Sequence, residues 1–423
     1  MQQHMPHADD FAAFVGLDWA NAKHDICLQT ADADSREFHI LQHKPEAIDE
    51  WVRTLRQRFQ GKPIAIALEL DKGPIVAALQ KYDGLVLFPI NPLTLARYRE
   101  AFATSRAKDD PSDAQLQLEL LLKHRDKLKR LQPQSAEMRA LAQLVEDRRT
   151  LVNDKVRLLN RLTSALKNYY PQPLEWFRDK DTALFCDFLE RWPTLKAAQL
   201  ARRSTLERFF LEHHVRYTEV IDQRLQAIKS AMSLTSDEGI ILPKRLLVQA
   251  LISQLRSVRQ ALERFDEAIA ERAHSHPDFA LFDTLPGAGV VFAPRLLVAF
   301  GEQRERFRNA AELQQYAGIA PVTERSGKKH WVHWRWQCPT FLRQTFVEWA
   351  AQTVNKSFWA GAFYSQQRAK GCSHQAALRA LAFKWIRILY RCWVTRTPYN
   401  EAAYLRALER RGSPLLQQFA TPK

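Results

Sequence analysis

The chain predicts an α/β sheet domain followed by a helical remainder. Three observations carry this. Short apolar runs fill the first hundred residues and, after an opening group of three, alternate with helical periodicity. Beyond residue 114 a seven-residue apolar spacing takes over, and after residue 281 shorter helical stretches return around a glycine turn.

Residues 12–19, AAFVGLDW, read as a buried strand, and HDICLQTA and REFHILQH follow at hairpin spacing as two more. PEAIDEWVRTLRQRF predicts an amphipathic helix, PIAIALEL a strand, GPIVAALQKY a helix, LVLFPI a strand and LTLARYREAF a helix. The order βββαβαβα implies a mixed sheet with helices on its faces, for which the ribonuclease H-like arrangement is the familiar solution. The next helix opens inside RAKDDPSDAQLQLELLLKHRDKLKR, residues 106–130, where three aspartates fall within five positions. Asp110 at the N-cap, Pro111 at the first helical position and Asp113 three residues on are also how an ordinary helix begins.

The division expected is 12–113 for the sheet domain, 114–280 for a helical region and 281–405 for a C-terminal domain. In the helical region Val145, Val152, Leu159 and Leu166 recur every seven residues, as do Leu144, Leu151 and Leu158. Leu251, Leu255, Val258, Leu262, Phe265 and Ile269 step by four and three. These segments predict the arms of an antiparallel or intermolecular coiled coil, or two members of a helical bundle. In the last domain Leu285-Pro286-Gly287-Ala288-Gly289 lies between helical stretches in the manner of a helix-hairpin-helix, whose glycines let backbone N–H groups approach a phosphate. Arg325, Lys328, Lys329 and Arg335 then interleave with Trp331, Trp334 and Trp336. Cations beside stackable rings suit contact with a nucleic-acid backbone and bases; the same spacing also fits the inner face of a strand.

With 423 residues and 46% hydrophobic content the chain is long enough for two or three folded domains, which excludes a disordered polyelectrolyte. Its net charge of +15 is uneven. Residues 284–400 hold 17 basic and 5 acidic side chains, so that third points to a polyanionic partner. Five cysteines without close pairs (Cys27, Cys186, Cys338, Cys372, Cys392) argue against a disulfide framework or zinc knuckle and for a reducing compartment. No signal-type core opens the chain and no run of about 18 apolar residues occurs, so a cytoplasmic protein with no membrane partner is expected.

The carboxylates gain meaning as a set. Asp18 is expected at the centre of the first strand, where a buried charge needs compensation. Glu69 comes near the end of the fourth strand, and Asp110 and Asp113 share one helix face at i and i+3. Converging at one sheet end, four carboxylates can hold two Mg²⁺ ions about 3.5–4 Å apart for phosphoryl transfer. Asp109 and Asp71 are alternates for their neighbours.

These four residues, with RRTLVNDKVRLLNRLTSALKNYYP, LPGAGVVFAPRLLVAFG and AELQQYAGIAPVTERSG, resemble the DEDD transposases of insertion-sequence family one-hundred-ten, relatives of Piv-type invertases. The resemblance runs from about residue 13 to about residue 400. It implies a RuvC-like domain, a coiled coil for oligomerisation (a dimer, a tetramer at synapsis) and a C-terminal domain whose serine attacks donor and target DNA. It also implies guidance by a noncoding bridge RNA and action at the nucleoid of a prokaryote. By match to the Ser-Gly motif that serine is Ser326. Two departures stand out. The family's Lys-Thr-Asp-x-x-Asp-Ala reads Lys108-Asp109-Asp110-Pro111-Ser112-Asp113-Ala114 here, and LDKG at 70–73 replaces the usual Thr-Gly after the glutamate. From residue types alone, Ser326-Gly327-Lys328-Lys329 is equally an ordinary surface turn. A RuvC-like nuclease using metal-activated water, and a non-catalytic nucleic-acid scaffold, are the alternatives.

Overall fold

Strand β1 (Ala13–Asp18) is the centre of the first unit because both of its faces are covered. The computed structural model describes residues 11–102, 110–132, 134–327, 329–413 and 415, with the backbone alone for Asp110 and Pro111. β1 pairs antiparallel with β2 (Lys23–Thr30), which pairs antiparallel with β3 (Arg36–Gln42). On its other edge β1 runs parallel to β4 (Ile64–Leu68), and β4 runs parallel to β5 (Leu85–Pro89). The order β3-β2-β1-β4-β5 is the mixed sheet that the strand–helix alternation predicts.

The two-residue period of the strands separates two cores. Ala13, Val15, Leu17, Ile64, Ile66 and Leu68 face one side, where α1 (Pro45–Arg58) and α2 (Pro74–Gln80) cover them. In α1 the residues Ile48, Val52 and Leu55 form the buried stripe, while Arg56 and Arg58 in the last turn suit the negative end of the helix dipole. Burying each such side chain contributes about 1.5–3 kcal/mol. The alternate residues of β4, Ala65 and Ala67, face Leu95 of α3 (Pro92–Phe102) and Leu116, Leu120 and Leu121 of α4 (Asp110–His124). Small strand residues on this side let α4 come close. At Gly16 a Cβ would stand 1.9 Å from the Ala114 carbonyl oxygen and 2.6 Å from the Leu118 nitrogen. The glycine is therefore fixed by the helix above it.

The chain divides into two compact units, Met1–Pro133 and Gln134–Lys423. In the second, α5 (Ala136–Leu166) and a 38-residue helix, Glu238–Ser275, lie against one another in antiparallel. Met138, Leu141 and Val145 meet Ile269 and Ala273 at one end, and Leu162, Ala165 and Leu166 meet Val248, Leu251, Ile252 and Leu255 at the other. Arg148 forms an ion pair with Asp266 between them. The heptad positions at the two ends are thus filled within the chain. Midway, Val152 and Leu159 are only half-buried, because short helices crowd the far end and the C-terminal helices crowd the near end.

The far end holds an aromatic core of Phe177, Phe185, Phe188, Phe209 and Phe210. The near end joins residues 279–408, whose core is built on Trp349, Trp359, Trp385 and Trp393. Each of these indoles donates a hydrogen bond where the ring is buried, for example Trp393 Nε1 to the Gly301 carbonyl at 3.0 Å and Trp385 Nε1 to Thr353 Oγ1 at 2.9 Å. Among the described residues no helix is long and apolar enough to cross a membrane.

Candidate nucleic-acid processing site

Asp18 is the last residue of β1 and is partly exposed, where the sequence reading put it at the centre of a buried strand. The strand stops there because Trp19-Ala20-Asn21-Ala22 turns the chain into β2, making Asp18 and Asp25 the final pair of the ladder. Its charge therefore needs less compensation than a mid-strand aspartate would. Glu69 follows β4 directly, and the parallel register sets Leu17 beside Leu68, so the two acids leave adjacent strands side by side. Counting by twos from Gly16 and Ala67 puts both on the α4 side of the sheet.

Asp113 lies in the first turn of α4 at 3% exposure. Its Oδ1 accepts a hydrogen bond from Arg99 Nε at 3.0 Å and a second, shorter one from Arg99 Nη2, so a cation from α3 already balances it. Gln117, one turn on, donates from Nε2 to Asp18 Oδ1 at 3.5 Å, which ties α4 to the end of β1. The side chain of Asp110 lies outside the described residues, as does Asp109. Asp71, one of the alternates, is in the loop after β4.

Sequence reasoning missed Arg99, Gln117 and Asp25. Asp25 is 7% exposed and stands directly opposite Asp18 on β2. Like charges facing one another across a ladder destabilise it unless a cation or hydrogen bonds intervene. Cys27, two residues on, is not a ligand candidate, since burial pushes its thiol up to about 11.

Whether these residues suit a divalent metal can be judged from their donor chemistry. The available atoms are hard carboxylate and amide oxygens, as Mg²⁺ requires. The Gln117 Oε1 atom is buried without a hydrogen-bond partner, and both Arg99 bonds fall on one oxygen of Asp113. The set fits such an ion, although among the described residues no three ligand-type side chains form a ready cluster.

In the second unit β6 (Val322–Ser326) and β7 (Lys329–His333) form an exposed hairpin. Ser326 pairs with Lys329 at its tip, next to Gly327 with φ +57°, a left-handed turn position. Lys328 lies outside the described residues. Arg325 is exposed, and Trp331 (46%), Trp334 (41%) and Trp336 (77%) are open to solvent, so these tryptophans are not the inner face of a strand. The root of the hairpin is fixed. Gly318, at φ +67°, passes so close to Cys338 that a Cβ would stand 2.2 Å from its sulfur, and buried Gln314 donates to the Phe383 carbonyl at 2.6 Å.

At Gly287 the Pro-Gly-x-Gly turn packs closely against its own unit. With φ +71°, its missing Cβ would meet Gln352 Cβ at 2.9 Å, and Trp349 Nε1 donates to the neighbouring Pro286 carbonyl at 3.1 Å. Gly287 thus makes room for a helix of the same unit. Gly289, φ +50°, opens the helix Gly289–Phe300 with open space around it.

A transposase model of the IS110 DEDD type matches residues 15–171, and a model of the Transposase IS116/IS110/IS902 family matches residues 280–365. The mini-circle protein named as a transposase for IS117 in Streptomyces coelicolor is 29% identical over 422 residues, covering 97% of this chain and 99% of its own length. The insertion element IS110 43.6 kDa protein of the same organism is 26% identical over 390 residues, covering 90% of this chain and 94% of its own. The insertion element IS900 42 kDa protein of Mycobacterium paratuberculosis is 22% identical over 410 residues, covering 92% and 97%. Both ends of the chain thus match in order, through the strand-end acids on one side and the serine hairpin on the other, and the chain belongs to the IS110/IS116 family of transposases.

Proposed function

We propose that the protein cuts and rejoins DNA strands through a serine-linked phosphodiester. The observation that carries this reading is the pairing of Asp18 and Glu69 on adjacent strand ends beneath α4, whose Asp113 and Gln117 are held against the same sheet face. Asp18, Glu69, Asp110 and Asp113 would hold Mg²⁺, two ions by the expected stoichiometry. Bound there, the metal supplies charge neutralisation for the phosphate. Ser326 Oγ attacks phosphorus as the bond to the strand's own oxygen breaks. The proton lost from Oγ is matched by the one the freed hydroxyl gains. A hydroxyl of the second strand then displaces Ser326 in the reverse sense, so the bond energy is conserved and no nucleotide cofactor is required.

Arg325, Lys328, Lys329 and Arg335 with Trp331 and Trp334 form the proposed DNA contact, and Gly287 and Gly289 a phosphate approach at a helix start. A bridge RNA directs the choice of site, in an assembly of at least two copies. The three-part organisation (12–113, 114–280 and 281–405) and a coiled-coil role for the central arms belong to this proposal.

The test is incubation with a labelled DNA site followed by peptide mapping. A covalent adduct on Ser326, absent in Ser326→Ala, is expected. Free cleaved ends without an adduct would favour a water-using nuclease, and bound intact DNA a scaffold. Sequencing the RNA that co-purifies tests the guide.

A further inference from the structure

Beneath the serine hairpin lies a cavity of about 530 Å³. Its floor is apolar, with Ile319, Phe363 and Phe383, and one wall is the Trp334 ring with the Arg379 guanidinium laid against it. Lys384 reaches the same space with Nζ 4.6 Å from the Phe363 ring centre, and Arg335 stands at the rim. Among the described residues no carboxylate, carboxamide or hydroxyl side chain lines it. Burial first, and then Arg343, lower the Arg379 pKa to about 10, which leaves the guanidinium charged at neutral pH.

These features select the occupant. An apolar peptide side chain would satisfy the floor but leave three cations without partners. A phosphate or sulfate would satisfy the cations but not an aromatic wall and floor. A nucleotide does both, since its base stacks on rings and guanidinium planes while its phosphate meets the cations. The volume lies within the range of single small-ligand sites, too small for a duplex. The hairpin that forms the edge through Val332 and His333 also carries Ser326.

We propose that this cavity receives one base of the DNA strand, unstacked from its neighbours, and thereby fixes the strand against the hairpin. The proposal rests on the strand-transfer reading above. Unstacking a base costs free energy that is smallest where the base is already unpaired, so the pocket implies a preference for DNA with one unpaired nucleotide.

The experiment uses full-length Ser326→Ala protein, which avoids cleavage, and three probes: a duplex with a single bulged 5-iododeoxyuridine, its fully paired counterpart, and an RNA duplex with the same bulge. Tighter binding of the bulged DNA is expected, by about 5-fold to 100-fold on the scale of base–aromatic stacking. Irradiation should cross-link the bulged base to peptides containing Trp334 or Phe363. Trp334→Ala should erase the preference and Trp334→Phe restore most of it. Equal binding of bulged and paired DNA, a preference untouched by Trp334→Ala, or a cross-link elsewhere overturns the pocket. A stronger preference for the RNA bulge overturns the DNA assignment. If Trp334→Ala does not fold, the cross-link position in Ser326→Ala decides alone. A bulge preference without any Ser326 adduct in the unsubstituted protein removes the strand-transfer reading and keeps the pocket; an adduct without the preference does the reverse.

Discussion

Gly16→Ala adds one methyl group, and the structure gives it nowhere to go. Its nearest neighbours would be the Ala114 oxygen at 1.9 Å, the Leu118 nitrogen at 2.6 Å and the Ala114 carbonyl carbon at 3.0 Å, all main chain of α4. No rotamer relieves a clash with backbone. Ordinary contact begins near 3.4 Å, so the helix must retreat by about 1.5 Å or β1 must bend. Overpacking of this kind costs about 1–3 kcal/mol, and the upper end applies where backbone meets backbone. In a unit of this size about 3 kcal/mol corresponds to a fall of roughly 10 °C in its melting temperature. The chemistry should suffer more. Asp113 and Gln117 precede Ala114 and Leu118 by one residue each, so they move with the helix, and the 3.5 Å bond from Gln117 to Asp18 has no slack. A displacement near 1 Å at a reacting centre can reduce rate about 100-fold. Scanning calorimetry and the rate of protein–DNA adduct formation measure the two effects. Adding Ala114→Gly should not rescue either, because the clash is with a carbonyl. A Gly16→Ala protein within about 0.5 kcal/mol of the parent in stability and equal in adduct rate would refute the argument that this contact positions the site.

Other outcomes follow from single residues. His24 is fully buried with Nε2 3.0 Å from His43 Nδ1, and burial, then the His43 charge, lower its pKa to about 4. The unfolded chain binds this proton from about pH 6.5 downward while the native state resists it. Stability should therefore fall as pH drops from 6.5 to 4, by up to about 3 kcal/mol, and His24→Asn should flatten that limb of a urea-midpoint titration. Asp18→Ala and Glu69→Ala should abolish adduct formation. Asp113→Ala should abolish it and also cost about 1–3 kcal/mol, because it strands the Arg99 guanidinium; equal melting curves for the three would remove Arg99 from the argument. Leu255→Glu places a charge between the two arms of one chain, so circular dichroism should show loss of helix at every protein concentration, by more than about 3 kcal/mol. A folded but dissociated variant would instead make that seam an intermolecular contact.

The apolar runs of β1 and β4 made the two strands legible, and the two-residue period tells which of their residues share a face, but the end of β1 at Asp18 was not read from them. The arrangement of the third dimension was not legible in the same way. Asp113 reads as a cap or a ligand from sequence, and its ion pair with Arg99 depends on α3 and α4 meeting, which no local pattern encodes. Gln117 and Asp25 were missed for the same reason. One signal was available: a glycine inside an apolar strand, as in AFVGLD, marks close backbone approach. It would have placed a helix over β1 and brought its inward residues into the site. The arms show the opposite limit. The apolar spacing of the arms was legible, but it is identical for a partner in the same chain and in another, and only the fold shows that their two ends pack within the chain. The tryptophans at 331, 334 and 336 were ambiguous because the period of an exposed hairpin and of a buried strand is the same.

The two halves of the proposed chemistry are held with very different stiffness. The carboxylates stand on a five-stranded sheet covered by helices, at strand ends and a helix start, where movement requires a packed core to shift. Ser326 stands at the tip of two exposed strands, and a two-stranded hairpin is at best marginally stable in water. What fixes that hairpin is its root: Gly318 against Cys338, Gln314 on the Phe383 carbonyl, and Trp334 against Arg379. The root therefore sets the direction of the strands while leaving the tip to be completed by what binds it. A strand seated in the cavity below would stiffen the nucleophile at the moment DNA is present, and a serine held loosely until then is poorly placed to react without its substrate. Under the proposed mechanism, rigid acids and a substrate-ordered nucleophile together would make cutting conditional on correct binding.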